Sequence, residues 1–155
     1  MNINKETVTS SERETENCGA LLAQRIAEDK TLPRFVAMYG DLGVGKTTFI
    51  RGFAGIFSPA IVRSPTFTLV NSYRCSGEYS DVSKYIYHFD MYRIQSEDDL
   101  YSIGYYDYLD SGCVCIAEWC ELIEYALPQN YIKVEILKTT GDPDKRIIKV
   151  NSIMG

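Results

Sequence analysis

The sequence predicts one three-layer α/β domain, on three observations. Helical patterns and apolar, strand-like runs interleave along 155 residues, enough for one domain with a substantial core and too few for two ordinary ones. An apolar run, RFVAMY at 34–39, stops at a glycine-rich turn from which a second helical pattern starts. Near the C-terminus, YIKVEILK and RIIKVNS alternate in character around TTGDPD, a turn-forming hexapeptide, and predict a hairpin.

Residues 1–10 are polar and are expected to be flexible, within a single domain spanning 1–155. Ser11 and Glu14 have the S-x-x-E spacing of a capping box. Behind them Cys18, Leu21, Leu22 and Ile26 recur at helical spacing, so 11–29 reads as an amphipathic helix. RFVAMY, short and wholly apolar before its glycine, reads as a buried strand. The next helix begins within GKTTFIRGFAGIF and fades near Ser58 and Pro59. TFTLVNSY and KYIYHFDMY are β-branched and aromatic runs, hence strands, separated by a polar turn around Gly77. Ser96 with Asp99 predicts another cap, opening an exposed, tyrosine-rich helix to about Leu109. CVCIAE is a further buried strand. No repeat or low-complexity linker interrupts the series.

Composition narrows the function classes. Hydrophobic residues make up 45% and charged residues 24%, which is globular. No apolar run reaches the ~18 to 20 residues of a membrane span. The polar, acidic N-terminus is neither a signal nor a transit peptide, so a cytoplasmic chain is expected. Five cysteines accompany a single histidine, His88, which argues against structural zinc and, by the odd count, against a disulfide framework. Cys113 and Cys115 share a strand face and are expected to pack as small apolar groups. With a net charge of −5 there is no basic surplus for gripping DNA or RNA unaided. A contact with RNA would be arranged by a partner.

The glycine-rich turn carries the chemistry. Gly40, Asp41, Leu42, Gly43, Val44, Gly45, Lys46 and Thr47 satisfy G-x-x-x-x-G-K-[ST] without a mismatch. Glycines let the backbone curl so that successive N–H groups converge on phosphate oxygens. The following helix adds its free N–H groups and positive dipole end. Lys46 brings a mobile charge for the outer phosphates, and the Thr47 hydroxyl a ligand for Mg²⁺; Thr48 either touches a phosphate or is an ordinary helix residue. An accidental lysine in a glycine turn is the competing reading, and the strand before and helix after weigh against it.

Such a loop needs an acid to hold the metal or order its waters. Asp90 ends YIYHFD and Glu118 ends VCIAE, and the carboxyl ends of parallel strands gather at the ligand crevice. Glu118 closes the more apolar run and is the better Walker B candidate. Asp90 is then the candidate for positioning the attacking water or reading the γ-phosphate. The competing reading of each is a solvent-facing carboxylate at a strand end. In SPTFTLV, Pro65 stiffens the approach and Thr66 or Thr68 is placed to sense a γ-phosphate. His88 shares a strand face with Asp90, so it orients that acid, meets a partner, or is a satisfied core imidazole.

Taken together, GDLGVGKTT, SPTFTLVNSY, HFDMYR, AEW and LPQNYIKVEI resemble, in order and rough spacing, the TsaE (YjeE) family. These are bacterial P-loop ATPases needed for threonylcarbamoyl modification of the adenosine next to the anticodon of certain tRNAs. The resemblance runs from about Thr15 to the end of the chain. It implies a P-loop NTPase-like fold with a mixed, mainly parallel sheet and slow, Mg²⁺-dependent ATP hydrolysis. It also implies action with a TsaB–TsaD complex, through which tRNA is reached. By position it assigns phosphate and Mg²⁺ roles to Lys46 and Thr47, the Walker B position to Glu118 and a role in ATP turnover to Asp90. Thr66 matches the switch-loop threonine, Trp119 a residue of the working surface, and Thr15 and Arg146 residues flanking the base. Val44, Met91 and Cys120 depart from the frequent alanine, leucine and proline of the family pattern, without removing a charged or ligating group.

Two other classes compete. A small-molecule kinase would use Arg51, Arg63, Arg74 or Arg93 as a phosphoryl clamp, but lacks an arginine-rich lid segment. A nucleotide-gated binding module would use ATP only to order SPTFTLV. A GTPase is disfavoured by the lack of N-K-x-D and D-x-x-G motifs.

Overall fold

The computed structural model describes residues 3–155. Among the described residues seven strands form one sheet: β1 (Asn4–Thr9), β2 (Phe35–Tyr39), β3 (Val70–Arg74), β4 (Tyr85–Asp90), β5 (Val114–Glu118), β6 (Tyr131–Thr139) and β7 (Asp142–Ile153). Their order is β1-β7-β6-β2-β5-β4-β3. The centre, β6-β2-β5-β4, is parallel, while β3 on one side and β7 and β1 on the other run antiparallel. The sheet is therefore mixed, as expected.

β2 alternates strictly across the sheet. Val36 and Met38 face α1 (Glu12–Glu28) and α2 (Lys46–Phe57), in a core with Phe49, Phe53 and Ile116. Phe35, Ala37 and Tyr39 face the opposite layer, where α3 (Glu97–Ser102), α4 (Tyr105–Asp110) and two 3₁₀ turns at 120–126 bring Leu100, Tyr105 and Ile123. Every residue of β2 and β5 is buried, because both faces are covered. Three layers result. Among the described residues no helix is long and apolar enough to cross a membrane.

The first helix starts as its capping box predicts: Ser11 Oγ accepts from Glu14 N at 3.1 Å, and Glu14 returns a bond to the Ser10 N–H at 2.7 Å. Four details differ from the sequence reading. Residues 4–9 form edge strand β1, fully paired to β7 from Asn4↔Asn151 to Thr9↔Arg146, where flexibility was expected. Met1 and Asn2 lie outside the described residues. The tyrosine-rich helix is two short helices, broken where Gly104 takes φ 76°, and it is not wholly exposed, since Tyr105 is sealed against the sheet with its hydroxyl on Ala126 O at 2.9 Å. Ser96 caps α3 without using its side chain; Asp99 instead accepts from the Gln95 N–H at 2.8 Å. TFTLV is a turn rather than a strand start, because Leu69 has φ 66° and pairing begins only at Val70.

Candidate functional site

The carboxyl end of β2 runs into the glycine-rich turn, and α2 leaves it with Lys46 as its first residue. Gly40, Gly43 and Gly45 hold φ of 147°, 75° and 110°, conformations that a Cβ would strain. At Gly40 space also forbids a side chain, since a Cβ would lie 2.8 Å from Ile136 O and 2.9 Å from Val44 Cγ2. No side chain caps α2, so its first N–H groups stay open toward the loop.

Above this loop lies a cleft of about 630 Å³. Its floor is 42–48, one wall is Ser11, Glu12 and Thr15 at the start of α1, and another is Pro143, Asp144 and Arg146 on the C-terminal hairpin. Ser64, Thr66, Asp90, Tyr92, Glu118 and Trp119 close the remaining side. Asp90 and Glu118 are direct register partners at the ends of parallel strands β4 and β5. Both are more than nine-tenths buried, at 6% and 4% exposure, so neither is a carboxylate projecting into solvent.

Lys46 is the buried cation among these acids. Its amine bonds to Gly40 O and sits 3.6 Å from the centre of the Trp119 ring. Burial pulls its pKa below the ordinary lysine value, while Glu121, Glu118, Asp90 and Asp41 pull the other way. Asp90 is held on both oxygens: Oδ1 accepts from the Tyr92 N–H at 3.0 Å and Oδ2 from the Ser64 hydroxyl at 3.3 Å. Glu118 Oε2 lies 2.7 Å from His88 Nε2, and the imidazole is fully buried. His88 thus holds Glu118 and not Asp90, although it shares a strand face with the latter. Among the described residues only Leu69 and Trp119 are non-glycines with positive φ, and both stand beside the acids. Leu69 O accepts from the Asp90 N–H at 3.1 Å, and Trp119 directly follows Glu118. Backbone strain of this kind gathers at working sites.

Thr15 and Arg146 both line the cleft. Thr15 Oγ1 is 2.8 Å from Thr9 Oγ1, and Arg146 Nε donates to Val44 O at 2.7 Å, bracing the loop from the hairpin. Thr47, Thr48 and Thr66 line the cleft, whereas Thr68 is exposed and bonds to Asn71. Gly40, Asp41 and His88 do not line the cleft; Asp41 is exposed, and its Oδ1 accepts from the Leu42 N–H at 2.8 Å. Two residues escaped the sequence reading. Ser64 reaches Asp90 through the hydroxyl that opens SPTFTLV, and Glu121 accepts from the Gly40 N–H at 3.2 Å, three residues after Glu118. Arg51, Arg63, Arg74 and Arg93 do not line the cleft, and Arg93 stacks on Phe67 at 4.9 Å.

A glycine loop wrapped on a helix start, ending a parallel strand beside two strand-end acids, defines a P-loop-type α/β protein. The family model described as "Threonylcarbamoyl adenosine biosynthesis protein TsaE" matches residues 9–148. The chain belongs to the TsaE family, whose members take part in tRNA threonylcarbamoyladenosine biosynthesis. It is 40% identical over 113 residues to the Bacillus subtilis (strain 168) protein named tRNA threonylcarbamoyladenosine biosynthesis protein TsaE. That match covers 72% of this chain and 66% of the relative, just under two-thirds of its length. A Rickettsia bellii protein of the same name is 34% identical over 152 residues, covering 97% of this chain and 96% of its own. The crystal structure of Bacillus subtilis YdiB superposes with a TM-score of 0.72 at 30% identity, over 100% of this chain and 88% of that one.

Proposed function

We propose that the chain is a cytoplasmic, Mg²⁺-dependent ATPase that supports threonylcarbamoyladenosine modification of tRNA at the adenosine next to the anticodon, acting with a TsaB–TsaD-like complex. One observation carries the reading: three left-handed glycines and an uncapped helix start converge below a buried lysine, opposite two register-paired buried acids. That donor set suits a triphosphate and a hard cation. Lys46 would hold the outer phosphates, and Thr47 and Glu118 would hold Mg²⁺, which when bound neutralises charge developing on the phosphates. Asp90, anchored on both oxygens, orients the attacking water. Thr15 and Arg146, on the two outer walls, flank the base.

The net charge of −5 supports assigning tRNA contact to the partners. The deciding measurement is ATP hydrolysis by the purified chain, with and without TsaB–TsaD-like proteins and tRNA. Slow hydrolysis that rises with the complex is expected. A chain that ignores ATP even with the complex present refutes the proposal.

A further inference from the structure

Behind Glu118 runs a line of buried polar atoms that the nucleotide does not need for contact. His88 Nε2 is 2.7 Å from Glu118 Oε2, and His88 Nδ1 is 2.8 Å from Tyr73 Oη. Tyr73 Oη in turn lies 3.3 Å from the Arg63 N and 3.1 Å from the Arg63 O. His88 is 0% and Tyr73 5% exposed, so water does not compete for these bonds. The residues come from three places: β5, the β4–β3 pair, and the segment between α2 and β3.

A carboxylate only accepts, so Glu118 takes its bond from the Nε2 side of the ring. Tyr73 Oη accepts from the Arg63 N–H and has both Arg63 O and His88 Nδ1 within hydrogen-bond reach, while Arg63 O also accepts from Asn71 Nδ2 at 2.9 Å. The line is continuous: Arg63 backbone, Tyr73 hydroxyl, His88 ring, Glu118 carboxylate. Next to Arg63 in the chain, Ser64 donates to Asp90.

We propose that Tyr73 and His88 are positioning residues that tie Glu118 to the backbone of Arg63, so that one loop sets both acids. Two consecutive residues of the segment between α2 and β3 each reach one acid, Arg63 through the relay and Ser64 directly. A displacement of that segment therefore loosens both carboxylates together. This rests on the reading that Glu118 and Asp90 serve ATP turnover.

His88 is the sole histidine, so its ring-nitrogen resonances report the relay without assignment ambiguity. In the full chain Nε2 should carry a proton that exchanges slowly with water, as its bond to the buried Glu118 requires. Tyr73→Phe removes only the hydroxyl that meets Nδ1. It should shift that nitrogen and lower the partner-stimulated turnover about five- to tenfold, the effect of one positioning hydrogen bond, with KM changed less than about twofold. His88→Gln, which keeps an N–H toward Glu118, should retain more turnover than His88→Ala; melting curves control for folding. A wild-type ring whose Nε2 proton exchanges freely with water, or a Tyr73→Phe chain with unchanged ring shifts and turnover, overturns the relay. A wild type that turns over no ATP overturns the functional reading instead, and the ring shifts then still decide the relay.

Discussion

Replacing Gly52 by alanine tests the packing that aims the glycine-rich loop. Gly52 of α2 and Gly19 of α1 let the two helices touch backbone to backbone. A Cβ at Gly52 would stand 2.6 Å from the Glu16 carbonyl carbon and 3.0 Å from Glu16 Cα, and closer still to the Glu16 oxygen. Carbon atoms pack at about 3.5–4.0 Å, so the helices must part by roughly 1 Å at this point. The core they share, around Ala23, Ile26, Phe49 and Phe53, would lose contacts along the seam. Alanine improves helix propensity by about 1 kcal/mol, but overpacking costs about 1–3 kcal/mol and more where the obstacle is backbone, so a net loss of about 2 kcal/mol is expected. Gly55 of the same helix has nothing within 4 Å of its would-be Cβ. Gly55→Ala should therefore stabilise, by about 0.5–1 kcal/mol. For a domain of this size the two variants should bracket the wild-type melting temperature, Gly52→Ala about 4–8 °C below and Gly55→Ala about 1–4 °C above. Urea unfolding with unchanged m-values would complete the comparison. If Gly52→Ala unfolds at or above the wild-type temperature, the helix contact does not limit the position of α2.

Three further outcomes are expected. Asp90→Ala and Glu118→Ala should each cut partner-stimulated ATP hydrolysis by about a hundredfold or more while the chains still bind nucleotide in an equilibrium titration, as befits groups acting in turnover. If either variant hydrolyses normally, that acid has no part in the chemistry. Arg146→Ala removes the bond that braces Val44 O and should weaken ATP binding about tenfold, read by calorimetry. At mildly alkaline pH iodoacetamide should label Cys113 before Cys75 and Cys115, followed by peptide mass spectrometry. Burial raises the Cys113 thiol, but bonds from the Tyr85 backbone, Ser111, Ser83 and the Lys84 backbone outweigh it and leave the pKa lowered. Burial pushes Cys75 up to about 11 and Cys115 up to about 12, so both stay protonated and inert.

The parallel centre was legible because its strands are buried on both faces, which writes continuous apolar runs such as FVAMY and VCIAE. The edge strand β1 was not legible. It is polar and mostly exposed, and its partner β7 lies at the other end of the chain, so no local pattern records the pairing. The tyrosine-rich segment reads as one helix because its apolar spacing carries through, yet Gly104 takes a left-handed conformation that ends α3 and lets α4 turn Tyr105 inward. TFTL has strand composition, but it turns back on itself, with the Leu69 N–H donating to Pro65 O at 2.8 Å and Leu69 at positive φ, so pairing waits until Val70.

The site divides along the same line. Residues that make the cradle are contiguous, so a motif exposes them; residues that hold the acids are gathered by register, so no motif does. Strand-end placement of Asp90 and Glu118 follows from parallel pairing, and the register puts them side by side. Which neighbour holds which acid depends on side-chain reach across β4 and β5. On its own strand His88 stands two residues before Asp90, and periodicity alone therefore couples that pair. Across the ladder, however, the imidazole extends to the neighbouring strand's carboxylate, and Asp90 is left to the Ser64 hydroxyl and the Tyr92 N–H. The two acids thus differ in kind: Glu118 is locked by a dry imidazole, while Asp90 is tethered by an exposed loop.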